Sequence, residues 1–304
     1  MKTDFWQGFW RLADPKISLA SFASMFLGAC AAAAAGPVDY GWLAITVLGI
    51  FAIEVAKNAS GEIFDFNSGD DQAVRTEDRS PFSGGKRVLV DGVLTKNQTA
   101  GIAIVCYMLG TLAGLAIVVL REPSVLWLGV LGVALAFFYH SPPIKLSYRG
   151  LGELAVAISY GPLICLGTYL VQRGEISQGV IFVSVLLGLL IAPFLLINEF
   201  PDYHADQAAG KRTLVVRLGR KNASRLFSVV VALPFLGLLV PFMNFPITIW
   251  LGFIASAPAL KASRALLKNP ETVSEIIPAQ VNALLTFLLF ALAAGVGLIL
   301  NQIF

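Results

Sequence analysis

The sequence has little charge, few cysteines and few histidines. Only 13% of its 304 residues are charged, while 57% are hydrophobic, a balance far outside that of water-soluble domains. Cys30, Cys106 and Cys165 each lie within an apolar stretch and form no CxxC pair, so we expect neither a disulfide framework nor a thiolate metal site. His140 and His204 stand in different loops, which argues against a zinc site. With a net charge of only +3, no groove for nucleic acid is expected.

Long apolar runs fill most of the chain instead. A helix needs about 20 mostly apolar residues to cross the hydrocarbon core of a membrane, and runs of this length recur along the sequence. We therefore predict an all-α polytopic membrane protein, a single transmembrane domain over residues 1–304 with a bundle of about nine transmembrane helices. Pro258 interrupts the eighth run, so eight spans are the alternative. The predicted helices are 17–36, 42–64, 98–120, 125–140, 153–172, 179–199, 223–241, 246–265 and 278–302.

The positions of positive charges predict the orientation of these helices. Of the 22 Lys and Arg residues, all except two fall in segments that a cytoplasmic N-terminus places on the inner side, as the positive-inside rule requires. The exceptions are Arg121 and Arg173. An odd number of spans then puts the C-terminus on the outer side. The loops 65–97, 140–152 and 200–222 are predicted to be cytoplasmic and to carry the active site. We expect the protein in the cell membrane of a bacterium or an archaeon.

Acidic and amide side chains recur at helical spacing where the second predicted helix enters its loop. Asn58, Glu62 and Asp65 fall on one face of the helix, and Asp71 follows after a turn. Carboxylates at this spacing repel one another, and the cost rises near lipid. Hard divalent cations remove that cost, since Mg²⁺ prefers carboxylate oxygens and completes its shell with water and phosphate oxygens. The alternative is a set of solvated loop acids paired with Lys and Arg.

A second stripe of the same kind stands where the sixth predicted helix enters its loop. Asn198, Asp202 and Asp206 follow one another at four-residue steps and share one helical face. Two such clusters can hold one magnesium diphosphate between them, which predicts Mg²⁺ as the cofactor. The predicted magnesium ligands are Asp65, Asp71, Asp202, Asp206, Asn58, Asn198 and Glu62.

Basic residues near both clusters suit the phosphate oxygens of such a substrate. Lys86 and Arg87 lie in the first loop, and Lys211 with Arg212 follows the second cluster. Lys145, between the fourth and fifth predicted helices, is the residue we favour. The alternative for each is an interfacial anchor that contacts lipid headgroups. The predicted diphosphate-binding residues are Lys86, Arg87, Lys145, Asn58, Asn198, Lys211 and Arg212.

With these motifs the sequence resembles the UbiA superfamily of membrane prenyltransferases, whose members carry two Asp-rich motifs on helices two and six of a nine-helix bundle. Residues 198–219, NEFPDYHADQAAGKRTLVVRLG, are similar to the branch that prenylates 1,4-dihydroxy-2-naphthoate, and residues 148–153 point to that branch too. The first motif departs from the pattern, because Gly61 and Glu62 stand where the family usually has Asn-Asp. Asn58, one turn earlier, is the candidate substitute.

The resemblance implies a magnesium-dependent transferase that moves a prenyl group from a polyprenyl diphosphate to a small aromatic acceptor. The acceptor implied is 1,4-dihydroxy-2-naphthoate, a step of menaquinone biosynthesis, and the catalytic residues implied are Asp65, Asp202, Lys145 and Tyr139. Membrane lipids surround the protein, and no obligate protein partner is expected. Two alternatives stay open. One is a UbiA-type prenyltransferase or cyclase that acts on hydroxybenzoate, homogentisate, a porphyrin or the prenyl chain itself, and the other is a cation-coupled transporter.

Overall fold

The computed structural model describes residues 4–240 and 246–301. Within these two ranges the chain is helical and contains no β-strand, and Ser80 pairs with Ser83 in an isolated bridge. A π-helical turn, Ser159–Leu163, joins α7 to α8, and a 3-10 segment, Ile247–Ala255, leads into α12. The α-helices in chain order are α1 (Phe5–Ala13), α2 (Pro15–Ala35), α3 (Tyr40–Ser68), α4 (Asp70–Ala73), α5 (Lys96–Leu120), α6 (Val125–Phe138), α7 (Gly152–Ile158), α8 (Ile164–Arg173), α9 (Gln178–Ala208), α10 (Leu214–Leu218), α11 (Arg220–Leu239), α12 (Ser256–Lys268) and α13 (Val273–Leu300).

Seven helical segments of the described residues are long and apolar enough to cross a membrane. They are α2, α3, α5, the combined segment Gly152–Arg173, α9, α11 and α13. The apolar helix α6 is shorter, and the predicted span 246–265 is formed by a 3-10 segment followed by α12. The predicted all-α membrane fold is confirmed, and each predicted helix has a helical counterpart. The count of nine crossings stays a prediction, and the predicted ends at 241 and 302 and the C-terminal residues 302–304 lie outside the described ranges.

Two helix ends lie further along the chain than the sequence suggested. α3 continues to Ser68 and α9 to Ala208, so the acids predicted at the start of loops 65–97 and 200–222 stand on helices. Pro201 lies inside α9 and costs it one backbone hydrogen bond. The helix nevertheless continues, because the preceding Phe200 is fully buried and its burial outweighs a single lost bond.

The short helix α1 was not predicted. Asp4 caps it by accepting a hydrogen bond from the backbone N–H of Gln7, and Trp6 and Trp10 are exposed on its outer face. Leu12, on the opposite face, is fully buried in a core shared with α3 and α5. Exposed tryptophans are typical of the membrane–water interface, so α1 is an amphipathic helix at the entrance to the first span.

The helices pack into two main groups, which a small third core of α5, α6 and α8 links. The larger apolar core joins α2, α8, α9, α11, α12 and α13, and a second core joins α1, α3 and α5. Close approach between α9 and the π-helical turn depends on glycine, because a Cβ added to Gly161 would lie 2.6 Å from Gly188 Cα. Small residues of this kind let membrane helices touch through their backbones. This contact holds Tyr160, the neighbour of Gly161 in the chain, beside the site described below.

Candidate active site

A polar cavity of about 220 Å³ lies between the C-terminal ends of α3 and α9. Its walls also include α2, the 82–86 segment of the loop after α4, and the residues that follow α6. Both acidic motifs therefore face one space. The polar side chains that line the cavity are Lys57, Asn58, Glu62, Asp65, Asp71, Ser83, Lys86, Tyr139, His140, Ser147, Tyr160, Asn198, Glu199, Asp202, Asp206, Lys211 and Thr213.

Asp65 is held at the wall of the cavity by an aromatic hydroxyl. The Tyr148 hydroxyl donates a 2.8 Å hydrogen bond to its Oδ1, and His140 Nε2 lies 3.5 Å from its Oδ2. Burial lowers the pKa of His140 to about 4, although the charge of Asp65 opposes the shift. At neutral pH the imidazole is therefore uncharged, and no imidazolium competes with a bound cation for Asp65.

Glu62 holds the loop that closes over the cavity. Its two carboxylate oxygens accept backbone N–H hydrogen bonds from Arg87 at 3.1 Å and from Leu89 at 2.9 Å. The same loop reaches the second motif, because the backbone N–H of Gly84 donates to Asp202 Oδ2 at 3.1 Å. Gly85 follows with a φ of +74°, and a Cβ there would lie 2.1 Å from the Oδ1 atom of Asp71. The backbone of this loop is thus pressed against the acids of both motifs.

The second motif is anchored from two sides. Asp206 Oδ2 accepts a hydrogen bond from the Thr213 hydroxyl at 3.3 Å, and Asn198 Oδ1 accepts one from Gln280 Nε2 at 3.0 Å. Asn58, on the opposite wall, donates from its amide to the carbonyl of Leu12 at 2.8 Å. These bonds fix the directions of the side chains before any ligand binds, which is the condition for a preorganised site.

Lys211 joins the two motifs. Its Nζ lies 2.9 Å from Asp70 Oδ2 and 3.3 Å from Asp206 Oδ1. Burial alone would lower the pKa of Lys211, but the attraction of Asp206 and Asp70 outweighs it and raises that pKa above its usual range. The lysine is therefore charged and neutralises part of a crowded acidic cluster.

Several carboxylate oxygens in this cluster are buried and have no hydrogen-bond partner. They are Asp70 Oδ1, Asp71 Oδ2 and Asp202 Oδ1. Burial, with repulsion from Glu62 and Asp65, raises the pKa of Asp71 to about 8. Buried oxygens without a hydrogen bond are costly, and hard oxygen donors are what Mg²⁺ binds.

The donor set therefore fits a magnesium ion, with one restriction. Among the described residues, no three His, Cys, Asp or Glu side chains come close enough together to hold an ion by themselves. A bound ion must complete its shell with oxygens from water or from a phosphate group, which is the usual habit of Mg²⁺. The site is thus suited to a metal that arrives with an anionic substrate.

A second, apolar cavity of about 570 Å³ adjoins the polar one. It is lined mainly by α3, α5, α6 and the α7–α8 segment. Four residues line both cavities: Lys57, Tyr139, Val156 and Tyr160. We call these four residues the collar, since they mark the passage from the polar space to the apolar one.

Comparison with known proteins places this arrangement in a family. Residues 21–277 match the UbiA prenyltransferase family. The chain belongs to this family. Among its relatives, the 1,4-dihydroxy-2-naphthoate octaprenyltransferase of Escherichia coli is 29% identical over 95% of the chain and 94% of that protein. The protein of the same name from Bacillus subtilis is 24% identical over 99% of the chain and 94% of its own length.

Solved structures of UbiA proteins share the fold. A UbiA homolog from Archaeoglobus fulgidus bound to GPP and Mg²⁺ superposes with a TM-score of 0.64 over 96% of the chain and 99% of that structure, at 15% identity. A digeranylgeranylglyceryl phosphate synthase superposes with a TM-score of 0.67 over 97% and 99% of the two chains, at 18% identity. At these identities the superposition supports the UbiA fold and nothing finer.

The predicted basic residues of this UbiA-family chain divide into two groups. Lys86 and Lys211 line the polar cavity, and Lys86 pairs with Asp14 at its edge. Arg87, Lys145 and Arg212 do not line it. The Arg87 guanidinium donates to the backbone carbonyl of Asp71 at 2.7 Å, and Arg212 is exposed.

Lys145 reaches the site only through another side chain. Its Nζ lies 4.8 Å from the centre of the Tyr148 ring, and the Tyr148 hydroxyl contacts Asp65. Lys145 itself has a left-handed φ of +48°, which turns the chain after the 140–145 segment. The predicted roles of Lys145, Arg87 and Arg212 in diphosphate binding stay predictions.

Of the three polar collar residues, only Tyr139 was predicted from the sequence, whereas Lys57 and Tyr160 were not. In the sequence Lys57 is one of many positive charges on the inner side, yet its Nζ lies 5.5 Å from the centre of the Tyr139 ring inside the site. Its position within an apolar helix was the available signal, because intramembrane ionisable residues are functional candidates. Tyr160 carried no such signal. Its hydroxyl donates to the buried Glu54 at 2.9 Å, and Ser21 donates to the other oxygen of that carboxylate.

Proposed function

We propose that the chain transfers a prenyl group from a polyprenyl diphosphate to 1,4-dihydroxy-2-naphthoate in a magnesium-dependent reaction. Membership of the UbiA prenyltransferase family gives the reaction class. Two relatives that align with nearly the whole chain are named 1,4-dihydroxy-2-naphthoate octaprenyltransferases, and this activity supports the acceptor. The UbiA homolog solved with GPP and Mg²⁺ supports the donor and the metal.

One observation carries the proposal. Buried carboxylate oxygens without hydrogen bonds meet three lysines in a single cavity between two helices, and that cavity opens through the collar into an apolar one. Acids alone would suit a cation and lysines alone an anion, whereas the combination suits an anion that arrives with its metal. A prenyl diphosphate has an anionic head and an apolar tail, so it matches both cavities.

The metal ligands we propose are Asp65, Asp71, Asp202 and Asp206, with the amide oxygen of Asn58 beside them. Bound magnesium supplies Lewis-acid stabilisation of the negative charge that develops on the departing diphosphate. Glu62 and Asn198 already accept hydrogen bonds, Glu62 from the loop after α4 and Asn198 from α13. We therefore assign these two residues first to holding that loop and α13 in place.

The chain's own residues supply the remaining electrostatics. Lys57, Lys86 and Lys211 line the cavity and donate charge-assisted hydrogen bonds to diphosphate oxygens. The aromatic faces of Tyr139 and Tyr160 lie at the collar, where they shield an allylic cation from water through cation–π contacts. Burial raises the pKa of Tyr139 above its usual range, so its hydroxyl stays protonated and acts as a hydrogen-bond donor.

We place the polar cavity on the cytoplasmic side of the membrane. Of the 22 Lys and Arg residues, all except Arg121 and Arg173 lie on the same side of the predicted bundle as the two motifs, and the positive-inside rule assigns that excess to the cytoplasm. A water-soluble aromatic acid and a diphosphate both reach the site from there. This placement and the cell membrane of a bacterium or an archaeon belong to the proposal.

The test is a product analysis with the purified protein in lipid nanodiscs. We would supply Mg²⁺, octaprenyl diphosphate and, in separate reactions, dihydroxynaphthoate, hydroxybenzoate and homogentisate, and identify products by mass. We expect a prenylated naphthoate product as the main one. Preference for another aromatic ring would contradict the acceptor, and release of diphosphate with a cyclised prenyl product would contradict aromatic transfer altogether.

A further inference from the structure

The apolar cavity is a long chamber that runs away from the collar. One wall is formed by α6 and by Tyr139, which follows it, and extends to Val125 over about 20 Å at 1.5 Å per residue. α3 forms the facing wall from Lys57 to Ile45, about 18 Å by the same rise. An isoprene unit has four chain bonds of about 1.5 Å, so it extends by roughly 5 Å. The chamber is therefore about as long as four units.

The chamber has room because of glycines on its walls. Gly132 on α6 and Gly114 on α5 line it, and a Cβ added to either would meet no atom within 4 Å. Gly49 and Gly110 also line it but serve another purpose, because a Cβ on Gly110 would lie 2.6 Å from the Ile53 side chain. Gly49 and Gly110 pack α3 against α5, whereas Gly132 and Gly114 leave open space.

The acidic group of the chamber wall is already satisfied by hydrogen bonds. Glu54 lies near the collar, and its two carboxylate oxygens accept hydrogen bonds from Ser21 and Tyr160. The rest of the deeper lining is almost entirely aliphatic or glycine. A hydrocarbon chain bound there leaves water for an apolar surface, which is the favourable direction of the hydrophobic effect.

The proposed function puts the donor's first isoprene units in the chamber. From this geometry we infer that Gly132 and Gly114 determine which chain lengths the enzyme accepts. The inference rests on the proposed function, since the donor's diphosphate must occupy the polar cavity. Gly132 lies seven residues from Tyr139, about 10 Å along α6. A large side chain at that depth leaves room for about two units and blocks the third.

The test compares short and long donors in matched variants. In Gly132→Leu and Gly114→Leu, the ratio of kcat/KM for octaprenyl diphosphate to that for geranyl diphosphate is expected to fall by at least about tenfold, because only the longer donor extends past the new side chain. Gly101→Leu is the control, because Gly101 lies on α5, is open around its Cβ and does not line the chamber. Its ratio is expected to equal that of the wild type.

The outcomes are distinguishable. Leucine favours helix more than glycine does, and geranyl transfer by each variant confirms that it has folded with an intact diphosphate site. A ratio that is unchanged in both chamber variants, or that falls equally in Gly101→Leu, would overturn the inference and assign the chamber to membrane lipid. If the wild type transfers neither donor to any aromatic ring, the proposed function itself is wrong.

Discussion

Lys211 is the residue on which the two acidic motifs depend when no metal is bound. It bridges Asp70 of α4 and Asp206 of α9, although these acids lie far apart in the sequence. Removal of one partner from a buried ion pair costs more than the pair itself contributes, because the remaining charges are left without compensation. This lysine therefore links the stability of the fold to the chemistry of the site.

We expect Lys211→Gln to destabilise the magnesium-free protein by about 3–5 kcal/mol, the cost of leaving buried charges unpaired. Added Mg²⁺ should restore most of the lost thermal stability, since it replaces the missing positive charge. Thermal unfolding in detergent, with and without Mg²⁺, measures both effects. Lys221→Gln, at an exposed lysine nearby, is the control and should change neither value. Equal destabilisation of the two variants would contradict the bridging role.

We expect Asp71 to make magnesium binding sensitive to pH. The pKa of Asp71 is raised from 3.8 to about 8, chiefly by burial. Between these two pH values the folded, metal-free protein keeps a proton on Asp71 that the unfolded chain releases. The fold without metal therefore loses stability as the pH rises toward 8. As a proposed ligand of magnesium, Asp71 would have to give up that proton, because a metal binds only the ionised carboxylate.

The affinity for Mg²⁺ should accordingly rise by up to about tenfold with each pH unit as the pH increases toward about 8, and then level off. Isothermal calorimetry at several pH values on both sides of that pKa measures the dependence. Asp71→Asn should weaken binding and flatten the profile. An affinity in the wild type that is constant over the whole range would count against Asp71 as a ligand.

At the residue scale, the predicted acids Asp65, Asp202 and Asp206 line the cavity, but only two of the five predicted basic residues do. The spacing of the acids predicted that they share helical faces, because a helix fixes where such side chains point. Lys145 and Arg212 were predicted as members of the site but do not line its cavity. They lie in loops, whose paths depend on hydrogen bonds that no local pattern reveals.

The loop after α4 is the element that completes the site. Its backbone is tied to α3 by Glu62 and to α9 by Asp202, and it brings Lys86 to the cavity. The sequence predicted a polar loop here, but nothing in its composition indicated that it folds back between the two motifs. Glu62 therefore has a structural role besides any contact with a metal.

We expect Glu62→Gln to loosen this loop. A glutamine has one oxygen where the glutamate has two, so one of the backbone N–H groups of Arg87 and Leu89 loses its acceptor, at a cost of about 1–3 kcal/mol. Limited proteolysis should cleave the 74–95 segment faster in the variant. Glu77→Gln, at an exposed acid of the same loop, is the matched control. Unchanged cleavage in Glu62→Gln would show that the loop is held elsewhere.

Helix ends were the other part of the fold that sequence patterns could not place. Pro201 and the charges beside it marked an end at 199, but α9 continues to Ala208 because tertiary burial outweighs a lost backbone bond. The amphipathic helix α1 was not predicted from the sequence, for a different reason. At nine residues it is too short for a span, and its apolar face is visible only once α3 and α5 supply the surface it packs against.

At the scale of the whole molecule, the bundle contains a polar cavity and an adjoining apolar one. The polar cavity meets the apolar chamber at the collar, so an anionic head and an isoprenoid tail can be bound by one bundle. Composition predicted the membrane bundle, because apolar runs of about 20 residues follow from the thickness of the hydrocarbon core. The orientation that charge placement indicates stays a prediction. The chamber could not be predicted, since it depends on which faces of α3, α5 and α6 turn toward one another.

The central claim is that two acidic helix ends bind magnesium diphosphate and release it as the prenyl group is transferred. The most direct test measures magnesium-dependent prenyl transfer to dihydroxynaphthoate by the wild type, Asp65→Asn, Asp202→Asn and the control Glu77→Gln. We expect both Asp variants to lose at least about a hundredfold in rate, with membrane expression intact and the control fully active. Wild-type rates in both Asp variants, or transfer by the wild type without magnesium, would contradict the account.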